Sequence, residues 1–156
     1  MHPAYRRADW QARRTAVDLA VIRTTRPIGH GTRPATLAGG ALPAAGAPIR
    51  LVGFGPVAEG DARSAGVLRS AALTVTGRPS TYQVRLTGPG AQALGACTGD
   101  SGGPVYASEG GRPVVSGIVS WTTGRGSARC GALTGTVPVA PHRRWIEEAV
   151  RGLGGS

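Results

Sequence analysis

The sequence predicts an all-β domain that closes on one short helix. Three observations carry this expectation. Gly (26 residues) and Pro (12) are scattered along the whole 156-residue chain, and they interrupt any long helix before the last segment. Six strand-like runs follow one another, separated by turn-forming stretches. Only the C-terminal segment carries apolar residues at helical spacing. The length fits one domain with a real core.

In chain order, residues 16–24 (AVDLAVIRT) alternate weakly and read as a strand. Residues 25–47, rich in Pro, Gly and Ala, read as a connector. The six runs are PIRLVGFG (48–55), VLRSAALTVT (67–76), TYQVRLTG (81–88), GPVYASE (103–109), RPVVSGIVSWT (112–122) and GALTGTVPV (131–139). Six strands suffice to close a small antiparallel barrel over 48–140. Residues 141–153 read as a helix, with Pro141 near its start and Gly154 at its stop. Trp145, Ile146, Ala149, Val150 and Leu153 would share its apolar face.

The net charge of +10 raises nucleic acid or an anionic membrane as partners. Neither is expected. All 18 basic residues are Arg, with no Lys or Asn anywhere, which reads as GC-rich codon usage. The pairs Arg6-Arg7, Arg13-Arg14 and Arg143-Arg144 are far apart, and no aromatic platform accompanies them. No apolar run approaches the roughly 18 residues that span a bilayer. The N-terminus lacks the apolar core of a signal peptide. Cys97 and Cys130 are either two buried thiols or one disulfide; two Cys alone leave both open.

The chemistry concentrates in CTGDSGGPVY, residues 97–106. Ser101 sits in a turn, and Gly99, Gly102 and Gly103 free the backbone around it. Such a turn can aim successive N–H groups at one point, as an acyl-transfer site requires. In a Gly-rich chain the glycines alone mean little; the ordered Gly-Asp-Ser-Gly-Gly-Pro is the specific feature.

This stretch resembles the nucleophile loop of the chymotrypsin/trypsin-like serine proteases, peptidase family S1. VDLAVIRT, LVGFG, VVSGIVSWTTG and HRRWIEEAV resemble further segments of that family, in its order, from about residue 15 to the end. The resemblance implies a chymotrypsin-like double β-barrel. This chain would hold the C-terminal six-stranded barrel, a remnant of the first barrel (1–24), and the closing helix. It implies Ser101 as nucleophile and Asp18 as the carboxylate that orients the base. Asp18 is the only acid flanked by an apolar strand, though a strand-edge carboxylate would read the same. The N–H groups of Gly99 and Ser101 would form the oxyanion hole. Asp100 would be a buried acid pairing with a freed α-amino group. Ser120, Trp121 and Thr122 would pair with the substrate backbone. Gly95 would floor the S1 pocket, with Thr122 and Gly135 as walls. Trp121 as plain core and Gly135 as turn punctuation are the bland readings. A Cys97–Cys130 disulfide, a protein or peptide substrate, a secreted monomer and no metal or organic cofactor complete the implication.

The base is the gap. Family order places a His before the Asp, and only His2 precedes Asp18. HPAYRR resembles the segment just before the catalytic Asp, not the one that carries the base. His30 and His142 read as solvated surface residues. The expectation is therefore a chain that begins partway into a protease domain, through a start codon assigned too far downstream, and that is inactive as written. The alternative is a non-catalytic homologue that keeps the groove as a peptide-binding module.

Overall fold

The computed structural model describes residues 1–12, 16–29, 31–77, 79–90, 94–126 and 128–154, without the side chain of Trp10. Six strands form one closed barrel: β1 (Pro48–Gly53), β2 (Arg69–Thr76), β3 (Val84–Thr87), β4 (Pro104–Glu109), β5 (Arg112–Thr123) and β6 (Leu133–Pro138). The order around the barrel is β1-β2-β3-β6-β5-β4, antiparallel at every seam. All six strand runs in the sequence thus become strands, five of them trimmed at their ends and β5 one residue longer than its run.

Alternation drives the closure. In β1, Ile49 and Leu51 turn inward while Pro48 and Arg50 face out. They meet Leu73 and Val75 of β2, Val84 and Leu86 of β3, Val105 of β4 and Val119 of β5 in one apolar core. β4 and β5 are joined through Gly110 and Gly111, both at positive φ (57° and 76°), the backbone a tight two-residue hairpin requires.

Residues 16–24 depart from expectation. Val17 and Leu19 are buried, in keeping with the weak alternation of the run. The segment is nevertheless extended chain outside any ladder, because no strand among the described residues pairs with it. It packs instead on Val137, Ile118 and Trp145. The connector is irregular but tied down: Leu37 forms an isolated parallel bridge to Val115, and Glu109 accepts the Gly40 amide at 3.2 Å. A five-residue helix, α1 (Arg7–Gln11), was not anticipated; it is too short to show periodicity. The closing helix α2 runs Arg143–Gly154, after a 3-10 turn at Ala140–His142 that holds Pro141. Trp145 anchors it, while Val150 and Leu153 remain exposed.

Leu73 is 2 % exposed at the centre of the core. Leu73→Ala should lower unfolding free energy by about 2–5 kcal/mol, read by chemical denaturation, whereas exposed Ile22→Ala should change it little.

Candidate active site

After β3 the chain passes Gly95 and folds into a loop that ends at Gly103, directly before β4. The Asp100 amide donates to the Cys97 carbonyl at 3.0 Å, and the Gly103 amide to the Asp100 carbonyl at 2.9 Å. Gly99 and Gly102 adopt φ of 101° and 80°, a region costly for other residues. β5 grips the loop: the Gly102 amide donates to Val119 O at 2.8 Å, and the Val119 amide to Gly103 O at 2.9 Å. Ser101 is thereby exposed while its neighbour Asp100 is buried. The N–H groups of Gly99 and Ser101 donate to no acceptor among the described residues.

Asp100 is the anchor beneath the loop. Its Oδ1 accepts the Gly55 amide at 2.8 Å and its Oδ2 the Cys97 amide at 2.9 Å. A Cβ on Gly53 would lie 2.1 Å from Oδ1, and one on Gly55 2.5 Å from the carboxyl carbon, so neither position admits a side chain. A cavity of about 150 Å³ borders the carboxylate, lined by Leu51, Arg69 and Gly95 among others. Sequence reasoning expected an α-amino partner here. The structure shows two main-chain donors, which no residue letter announces.

The residue of β5 after Val119 meets Asp18. The Ser120 hydroxyl donates to its Oδ2 at 2.6 Å. Consecutive residues of one strand therefore hold the Ser101 loop (Val119) and Asp18 (Ser120). This side-chain role of Ser120 was missed, since only its backbone had been assigned. Thr122 turns its hydroxyl to Ala96 O (2.7 Å) and Leu133 O (3.1 Å). Trp121 pairs with Gly135, and its indole lies where a Gly135 Cβ would be, 2.0 Å from Cε2. Gly135 is thus a seat for Trp121 as well as a neighbour of Thr122. A Cβ on Gly95 would approach Thr134 Oγ1 to 2.9 Å, and that oxygen already accepts the Ala96 amide.

Cys97 and Cys130 form a disulfide. It ties the loop to the segment entering β6 across 33 residues, worth about 4 kcal/mol in the chain-entropy account. Glu59 lies beside these two sulfurs, but a disulfide offers no thiolate to a metal.

The description "Trypsin" fits residues 2–146 by family comparison. The chain belongs to the trypsin family. It is 31% identical over 150 residues to mouse Serine protease 56, covering 84% of this chain and 24% of that protein. It thus spans about a quarter of that relative's length. Its six-stranded barrel and C-terminal helix are consistent with the chymotrypsin-like fold of the trypsin family.

Within that family setting, the histidines are the unmatched feature. His2 packs its ring edge on Trp145 (4.6 Å between centroids) and His142 (5.0 Å), and its Nδ1 accepts the Ala4 amide at 3.1 Å. Its own amide donates to Leu19 O. None of these partners is Asp18 or Ser101. His142 Nε2 bonds Thr81 O at 2.8 Å, so it is engaged rather than simply solvated. His30 lies outside the described residues.

Desolvation, then His142 and the N-terminal amine, hold His2 below its ordinary imidazole range. The unfolded chain therefore binds this proton more readily than the folded one, and stability falls as pH drops below about 6.5. His2→Gln should flatten that acid limb in thermal melts between about pH 7 and 5; melts that track the parent throughout would remove His2 from the account.

Proposed function

We propose that this chain is the main part of a secreted serine endopeptidase domain, with Ser101 as nucleophile and Asp18 as the orienting carboxylate. The observation that carries the reading is β5, whose adjacent residues Val119 and Ser120 hold the exposed Ser101 loop and Asp18 side by side in sequence. The uncommitted amides of Gly99 and Ser101 support it further.

In this mechanism Ser101 Oγ attacks the scissile carbonyl carbon. Its proton passes to a histidine nitrogen, while Asp18 accepts the opposite ring N–H and stabilises the imidazolium. The carbonyl oxygen takes the negative charge and accepts hydrogen bonds from Gly99 and Ser101, each worth about 3–4 kcal/mol of barrier. The tetrahedral intermediate then expels the amine, protonated by the same histidine, and leaves an acyl-Ser101 ester. Water repeats the sequence to release the acid. No metal or organic cofactor enters. Neither described histidine, His2 or His142, has Ser101 or Asp18 among its hydrogen-bond or ring partners. Asp100, bordering the cavity, would additionally take a freed α-amino group when one is delivered.

Gly95, Ser120, Trp121, Thr122 and Gly135 form the acyl-side groove in this reading, working as a monomer on protein or peptide substrates. Gly95 brings no carboxylate to the pocket floor, and the Thr122 hydroxyl reaches across to Ala96 O. Small or apolar P1 residues fit, because Gly95, Thr122 and Gly135 themselves bring no charge to pair with Arg or Lys. A second reading, a peptide-binding homologue without catalysis, is favoured by the engagement of His2 with Trp145 and His142.

Fluorophosphonate labelling decides between them. The chain as given should label weakly, and the chain extended upstream to include the base should label strongly, with Ser101→Ala abolishing the signal. Strong labelling of the short chain would show that the base lies within it; no labelling of either would favour the binding module.

In a peptide library, the labelled enzyme should cleave after small or apolar residues. A profile dominated by P1 Arg would contradict the pocket described here.

A further inference from the structure

On β2, Leu73 and Ala71 turn toward the core, and the same face continues to Arg69 at the strand's start. A cation therefore occupies an inward position at the mouth of the barrel. The register fixes where it looks. Arg69 is the Cα partner of Gly53, so the two share one side of the sheet, and a Cβ on Gly53 would collide with Asp100 Oδ1. Arg69 and Asp100 line the same cavity of about 150 Å³, and they are the only charged residues in its described lining.

The two charges face a common space without forming an ion pair; among the described residues the ion pairs lie on α2. Arg69 donates through Nη1 alone, to Ser64 O and to Val67 O at 3.3 Å. Its Nε and Nη2 donate to no acceptor among the described residues. Asp100 is buried and accepts one main-chain amide on each oxygen, which leaves each oxygen a further lone pair. Two neutral donors replace part of its lost hydration; a cation in the same cavity would offset the charge itself.

We propose that Arg69 is the counter-charge of Asp100 within this chain. Its guanidinium crosses the cavity, bonds the carboxylate with its unused N–H groups, and holds the Ser101 loop in shape without an amino group delivered from a cleaved chain end. The ion pair stands on the geometry; its bearing on Ser101 rests on the protease reading. Arg69 is a positioning residue in this scheme, since it acts on Gly99 and Ser101 through Asp100. The cost of the movement is small. Ser64 is half-buried and Val67 exposed, so water can replace Nη1 on their carbonyls. An amino group brought to the cavity competes with Arg69 for the one carboxylate.

A double-mutant cycle on the uncleaved, full-length natural chain tests the pair by urea unfolding. Arg69→Gln should lower the folding equilibrium constant about tenfold with Asp100 in place, and less than about twofold in the Asp100→Asn background. Equal losses in both backgrounds, or none in either, would overturn the proposal, because Arg69 would then serve only as a cap on Ser64 O and Val67 O. Where Asp100→Asn does not fold, the single variants decide. Arg69→Gln still offers donors to both carbonyls, whereas Arg69→Lys keeps the charge. Lys should recover most of the loss, and an equal loss in the two variants sinks the pair. Fluorophosphonate labelling of the same uncleaved chain reads the consequence for Ser101. Arg69→Gln should slow it about tenfold and Arg69→Lys should restore most of the rate; labelling indifferent to both would remove Arg69 from the site. Failure of the protease reading shows separately. If the cycle couples Arg69 to Asp100 yet the parent chain never labels, the ion pair stands and the catalytic reading alone is lost.

Discussion

The burial of Asp100 governs this site. A carboxylate removed from water is costly unless donors replace its hydration, and here the Gly55 and Cys97 amides do so. The demand spreads outward. Gly53 and Gly55 must lack side chains so that β1's exit can close on the carboxylate. The loop, with flexible glycines at 99, 102 and 103, acquires one anchored point amid residues of high conformational entropy. Ser101 faces solvent because the residue before it is pulled inward.

β5 is the second organiser. It spans Arg112–Thr123, the longest strand of the barrel, and its register slips between Val119 and Trp121. Val119 contributes its side chain to the core and its backbone to the Ser101 loop. Ser120 meets Asp18, Trp121 covers Gly135, and Thr122 reaches Ala96. Four successive residues therefore serve four neighbours, which links stability of the barrel to geometry of the site.

What was legible in the sequence is local. The alternation in PIRLVG and the turn glycines of EGGR report on their own surroundings and match the structure, whereas the apolar face of the last helix is covered only in part: Trp145 packs on the body, and Val150 and Leu153 stay exposed. The order Gly-Asp-Ser-Gly-Gly-Pro announces a chemical loop because so many backbone requirements coincide in six residues. Less legible are contacts between distant segments. Ser120 and Asp18 are 102 residues apart, and Thr98 and Glu59 are 39 apart. No periodicity encodes such pairs. Residues 16–24 show the same limit from the other side: their buried face could be read from Val17 and Leu19, but a strand needs a partner that alternation cannot supply. The donors to Asp100 are backbone amides, which every residue but proline possesses, so composition is silent about them.

The barrel also has an uneven circumference. β1 and β2 share six residue pairs, whereas β1 meets β4 through two, Arg50 with Tyr106 and Leu51 with Val105. A closed sheet has no edge strand, so opening must begin by parting a seam. The β1–β4 seam is the narrowest by residue pairs, and β4 starts directly after the Ser101 loop, so the Gly55–Asp100 hydrogen bond extends past the ladder the join that those two pairs leave short.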